Sequence, residues 1–211
     1  MFSFFKKKKS IISTDKIWRS AEKKARGLGV DIDAIIAADQ TVFLFYYFED
    51  SKKWIEALLK AKKIDFEDLD RANRGTKVIL VPAAEINSSG RLVDALKNFS
   101  DPNSSQFLFP NHYPTHDFET EILEKLIDLH DSVIGCCFYI AMDDPLMRVF
   151  GSERIVTIMD RMGYKENEVI QHSMITKSIS NAQKKIDKNV PNALRANSQE
   201  EWFKVNLPDG T

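Results

Sequence analysis

Four times along this chain a short unbroken apolar run gives way to an amphipathic stretch of helical period, and few architectures accommodate that alternation. "TVFLFYYF" (41–48) is β-branched and aromatic with no polar break, the composition of a strand buried on both faces. "EDSKKWIEALLKAKK" (49–63) follows at once, with Trp54, Leu58 and Ala61 at helical spacing and Asp50 or Ser51 as its N-cap. "TKVILVPA" (76–83), "SQFLFPN" (105–111) and "SVIGCCFYIAM" (132–142) repeat the strand pattern. "RLVDALKNF" (91–99) and "DFETEILEKLIDLH" (117–130) repeat the helical one. Doubly buried strands separated by helices predict an α/β fold: a mostly parallel sheet flanked by helices, joined by right-handed crossovers. A lead-in helix is expected around 20–38.

The last third reads as helical. "SERIVTIMDRMG" starts at Ser152, sets Ile155, Ile158, Met159 and Met162 on one face, and stops at Gly163. "SMITKSISNAQKKI" starts at Ser173 with a stripe of Ile175, Ile179, Ala182 and Ile186, and Pro191 forbids its simple continuation. Ser198 and Glu201 have the spacing of a capping box.

Composition bounds the class. With 43% hydrophobic and 29% charged residues, the chain is that of an ordinary globular protein. No apolar run reaches the roughly 18 residues that a membrane span needs. Cys136 and Cys137 are adjacent and point to opposite faces of a strand, which fits a reduced, cytoplasmic setting and gives no disulfide framework. Charge is uneven: residues 1–26 hold nine Lys/Arg and two acids. Lys6, Lys7, Lys8 and Lys9, beside phenylalanines at 2, 4 and 5, form either a solvated tail or a contact with an anionic membrane surface.

Chemistry-bearing motifs are sparse. There is no GxxxxGK[ST] phosphate loop, and "GLG" (27–29) precedes no strand–helix turn of the dinucleotide-binding kind. His112 and His116 in "HYPTH" stand four apart, but Pro114 argues against a helix there. Even with His130 and the two cysteines, ordinary contacts are the better reading than a metal site. In "MDD" (142–144), Asp144 reads as the cap of a helix with Pro145 in its first turn. The aromatics at 43 and 45–48 read as core, not as a base-stacking platform, and a net charge of −1 gives no broad phosphate-binding surface. Nucleic acid is not an expected partner.

The stretches "DDPLMRVFGSERI", "IMDRMG", "EVIQHSMITKSI" and "NAQKKI" (within 143–186) resemble the SecA preprotein translocase motor ATPase family. They match it where its second nucleotide-binding domain meets its helical scaffold. Fainter resemblance runs through "DKIWRSAEKK", "QTVFLFYYFEDSKKWIEALLK", "SSQFLFPNHYPTHDFETEILEKL" and "GCCFYIAMDDPLMRVFG". The resemblance implies a RecA-like fold of the P-loop NTPase second-domain type. Its expected divisions are a basic tail (1–14), a RecA-like α/β unit (15–151) and a helical segment (152–211) that opens like the scaffold and then diverges.

Departures from the family carry the functional expectation. Where the family has a QxxGRxGRQGD motif whose arginines reach nucleotide phosphates, this chain has Leu123, Lys125 and Asp128. An arginine stabilising a transferring phosphoryl group is worth about 10³–10⁵ in rate. The expected function is therefore a non-catalytic SecA-like module, not an enzyme, with no cofactor, that binds a protein partner and assists export. The alternatives are a nucleotide-responsive half-site completing an ATPase site with another chain, and a decayed duplicate. Family-matching polar residues Arg148, Phe150, Arg154, Arg161, Gln171, His172, Lys177 and Lys184 are the candidate docking surface, either packing the helices or meeting a translocase motor or channel. The expected location is cytoplasmic, peripheral to the inner face of the membrane.

Overall fold

The computed structural model describes residues 10–101, 103–130, 134–149, 151–161, 163–165 and 167–208, without the side chains of 153, 154, 158 and 159. The apolar runs become parallel strands. They are β2 (Thr41–Tyr46), β4 (Val78–Pro82), β5 (Ser105–Phe109) and β6 (Ile134–Ala141), joined by β1 (Ile11–Trp18) and a two-residue β3 (Glu67–Asp68). The sheet runs β1-β6-β5-β2-β4-β3, every pair parallel. Residues 11–14, assigned from charge to the tail, are the first half of β1. That strand pairs with β6 along its whole length, and Ile170 hydrogen-bonds both ways to Ile17, covering part of the free edge.

Because side chains alternate across each strand, the sheet divides the apolar residues between two layers. Phe43, Phe45, Phe107, Phe109 and Phe138 face one layer; Val42, Leu44, Leu108 and Tyr139 face the other. Cys136 and Cys137 fall on these opposite faces as expected. The second layer is closed by Leu28 and Ile32 of α1 (Ala21–Ala37) and by Ile55 and Leu59 of α2 (Glu49–Ala61). The first is closed by α3 (Gly90–Phe99) and α4 (His116–Leu129), through Leu92, Leu96, Ile122 and Leu126.

The segment after 151 packs onto the same core. α5 (Pro145–Val149) and α6 (Ser152–Arg161) lead to α7 (Ser173–Asn189), whose Ile179 and Ile186 join the first layer. α8 (Gln199–Asn206) adds Trp202 and Phe203 to it. Of the apolar face expected on α6, Ile155 packs against this layer, and positions 158, 159 and 162 lie outside the described side chains. The Ser198 cap forms as expected: its hydroxyl accepts from Glu201 N, and the Glu201 carboxylate accepts from Asn197 N. Asp144 stands just before α5 as expected, its carbonyl taking the amides of Met147 and Arg148, but its carboxylate accepts from Ala141 N rather than from a helix amide. Its carboxylate meets the buried Lys24 ammonium at 2.6 and 2.8 Å, tying α1 to the end of β6. The N-cap of α2 is Phe48 rather than Asp50 or Ser51, because the strand passes into the helix without a polar turn.

Gly27 has a reason to lack a side chain. A Cβ there would lie 2.3 Å from Trp18 Cζ2, and the indole cannot retreat because it stacks on Tyr139 at 5.5 Å. In an open helix, Gly→Ala gains about 1 kcal/mol. Here Gly27→Ala is expected to lose about 1–3 kcal/mol by overpacking, measurable as a lower urea midpoint.

Candidate functional site

In an open parallel sheet, ligands collect at the carboxyl ends of the strands where connections leave in opposite directions. β2 and β5 are neighbours of that kind. The chain leaves β2 toward β3 and β4, and leaves β5 toward β6 on the other side. Over this edge opens a cleft of about 910 Å³. Its floor is aromatic, with Tyr46, Tyr47 and Phe48 after β2 and Tyr113 and Phe118 from the β5–α4 region. Glu49, Glu85, Asp117, Glu121 and Asp187 give it carboxylates, and Arg195 is the one cationic residue of its lining. The stretch 190–196, between α7 and α8, forms one wall.

Beside the cleft lies a buried ionic cluster built on the histidine turn. His112 Nδ1 meets the Glu119 carboxylate at 2.9 and 3.0 Å, and its Nε2 faces Asp15 Oδ1 at 3.4 Å, an ion-pair contact longer than a good hydrogen bond. The ring lies flat on Phe138 at 4.3 Å. Burial alone would push the imidazole pKa down, but Glu119 and Asp15 outweigh it and lift it to about 10. Burial likewise pushes the Asp15 carboxyl up, and His112 with the Thr176 hydroxyl outweighs it and holds it below its usual range. His112 is thus a buried imidazolium between two carboxylates, not an ordinary loop histidine.

The same turn anchors the C-terminal helices. Gln199 Nε2 donates to the His112 carbonyl and its Oε1 accepts from Leu146 N, joining α8, the turn and α5. Gln183 Nε2 donates to the Tyr113 carbonyl. Asp187 of α7 accepts from the amides of His116 and Asp117 at the start of α4. Burial raises the Asp187 carboxyl above its usual range, and the neighbouring Asp117 charge adds to this. Sequence reasoning missed these links. They join residues up to 87 positions apart, and no local period marks them.

The sequence-derived docking residues spread over several surfaces. Arg148 is exposed but paired with Glu200 of α8. His172 caps α7 through Nδ1, which accepts from Met174 N. Arg161, Gln171, Lys177 and Lys184 are exposed. Phe150, the side chain of Arg154, and Lys6, Lys7, Lys8 and Lys9 lie outside the described residues. Where the family resemblance puts arginines, Leu123 is half-buried against the core and Lys125 and Asp128 are exposed. The histidines and cysteines considered for a metal do not converge. Among the described residues, the one group close enough to hold an ion is His116, Asp117 and Asp187, and Asp187 there already accepts two backbone amides. No described helix is long and apolar enough to cross a membrane.

No family model matches the chain. Among curated proteins, it is 65% identical over 52 residues to protein translocase subunit SecA of Christiangramia forsetii, covering 25% of this chain and 5% of that one. Its match to protein translocase subunit SecA of Flavobacterium psychrophilum is 64% over 52 residues, with the same coverage. To protein translocase subunit SecA of Chlorobium phaeobacteroides (strain BS1) it is 55% identical over 183 residues, 82% of this chain. This is a SecA-family domain. It spans 18% of the length of that last relative, so it corresponds to part of a SecA protein. The all-parallel six-stranded sheet with helices on both faces is the RecA-like arrangement the resemblance implies. The relatives correct one expectation. The SecA family is one of ATPases, so the non-enzyme reading, taken from the missing phosphate loop and from Leu123, Lys125 and Asp128, does not stand against a match over 82% of the chain.

Proposed function

We propose that this SecA-family domain works in protein translocation as a protein-docking module, presenting the outward faces of α6 and α7 to a component of the translocation machinery. The kinship with protein translocase subunits supplies the process. The observation that carries the docking reading is the outer surface of α7. Met174 is 70% exposed, and exposed Lys177, Lys184 and Lys188 follow it at helical spacing. Among the described residues neither Lys177 nor Lys184 has an ion-pair partner, and the same holds for the exposed Arg161 at the end of α6. The inward residues of α7, Ile179, Ala182, Gln183 and Ile186, already hold the helix to the core. Unpaired cations beside an exposed methionine suit an acidic partner surface with an apolar centre.

The test is a binding titration of the purified chain against purified full-length SecA and against the solubilised translocation channel of the same cell. Saturable binding to at least one is expected. Arg161→Glu, Lys177→Glu and Lys184→Glu together should weaken it tenfold or more without changing the far-ultraviolet spectrum. Absence of binding to both, or equal binding by the charge-reversed protein, contradicts the proposal.

A further inference from the structure

A smaller cavity, of about 450 Å³, opens at the carboxyl edge of the sheet on the side of α1 and α2. Its walls come from the first turns of α1, α2 and α8, from the 143–145 turn after β6, and from Asn111 after β5. Two of its polar side chains lie deep and make no bond within the protein. Asn111 is 8% exposed and Ser51 7%, yet neither the Asn111 carboxamide nor the Ser51 hydroxyl has a hydrogen-bond partner among the described residues. Asn111 Oδ1 is wholly enclosed, but Asn111 Nδ2 and Ser51 Oγ are not, and both residues line this cavity. Buried amides and hydroxyls are nearly always paired, so two unpaired ones in one cavity point to a ligand.

The neighbouring groups limit what that ligand is. Lys24 is the one cationic residue of the lining, and its ammonium is spent on both Asp144 oxygens and on the Trp54 ring, 5.7 Å from its centroid. Asp144 also accepts from Ala141 N. Gln199 is occupied by His112 and Leu146, and Glu200 by Arg148. Left over are the neutral amide and hydroxyl at depth and two exposed carboxylates, Asp50 and Asp143, without a cationic partner among the described residues. An anion meets repulsion from those carboxylates with no free cation beneath to offset it. A compact cation finds no free carboxylate at depth.

We propose that this cavity binds a small neutral sugar, a mono- or disaccharide. Hydroxyl groups both donate and accept, so one ring serves both levels of the site. Its hydroxyls accept from Asn111 Nδ2 and the Ser51 hydroxyl below and donate to Asp50 and Asp143 above. The half-buried Trp54 supplies apolar surface for the ring carbons. The volume lies within the range of small-molecule sites, which are mostly preformed and carry a few converging polar groups. This goes beyond the protein-docking reading and uses a separate face, so the two fail independently.

The test uses the full chain and reads Trp54 emission, because the other two tryptophans, Trp18 and Trp202, are buried at 5% and 0% exposure. Titration with D-glucose, D-galactose, D-ribose and maltose should give a saturable change with at least one of the four. Saturation-transfer NMR should show the strongest transfer at that sugar's ring C–H protons. Ser51→Ala and Asn111→Leu should each weaken binding severalfold while leaving thermal stability equal or higher, since neither side chain forfeits a bond within the protein. Lys177→Glu/Lys184→Glu should bind the sugar unchanged. No saturable change with any of the four sugars, binding unaltered by both Ser51→Ala and Asn111→Leu, or tighter binding of choline or inorganic phosphate than of every sugar overturns the inference.

Discussion

His112→Ala is expected to destabilise the fold by about 3–5 kcal/mol, because it removes the cation from between two buried carboxylates and leaves Asp15 and Glu119 uncompensated. Urea unfolding should show the loss at neutral pH, and a second deletion should recover part of it. His112→Ala/Glu119→Gln is expected to be more stable than His112→Ala alone, since one stranded charge is gone. The pH dependence identifies the ionic origin. The imidazole is lifted to about 10 in the folded state from an ordinary 6.5, so its contribution is complete below about 6.5 and declines as pH rises through 10. Asp15, held low, contributes above the ordinary carboxylate range and loses that contribution as pH falls through its folded value. The parent protein should therefore lose stability relative to His112→Gln between pH 7 and 10. Parallel stability curves for the two proteins across that window would show that the triad is not ionised as described.

Trp202→Ala is the second large effect, expected at about 3–5 kcal/mol from cavity formation around a fully buried indole. Trp202 packs edge-on against Tyr113 at 6.1 Å and Phe203 at 5.3 Å, and α8 also carries the Gln199 bridge to His112 and Leu146. Loosening α8 should thus be felt at the histidine turn. Hydrogen exchange should accelerate at the Leu146 and Tyr113 amides as well as within α8. If only α8 amides accelerate, the C-terminal helix is an appendage rather than part of the core.

How much of this was legible in the residues depends on how local the signal is. β2, β4, β5 and β6 announce themselves because doubly buried strands need nearly continuous apolar sequence. β1 does not. "IISTDKIW" interrupts its apolar residues with Ser13, Thr14, Asp15 and Lys16, since it is an edge strand and Asp15 belongs to the buried ion cluster. α8 is readable from Ser198 and Glu201 alone, a contact over three residues. The cleft is not readable. Its acids come from the start of α2, the turn after β4, α4 and α7, and only the crossover order of the sheet brings them together. The docking candidates show the same divide. Sequence picks out charged residues on helices, but whether one is occupied, as Arg148 is by Glu200, depends on a helix 52 positions away.

Docking to the translocation machinery through α7 is most directly tested by site-specific photo-cross-linking in cells that express the full chain with a photoreactive amino acid at Lys177, and separately at Lys53. Lys53 is exposed on α2, against the other face of the sheet. Adducts containing SecA or channel subunits from position 177 and not from 53 are the predicted result. Their absence from 177, or equal yield from both positions, would contradict it.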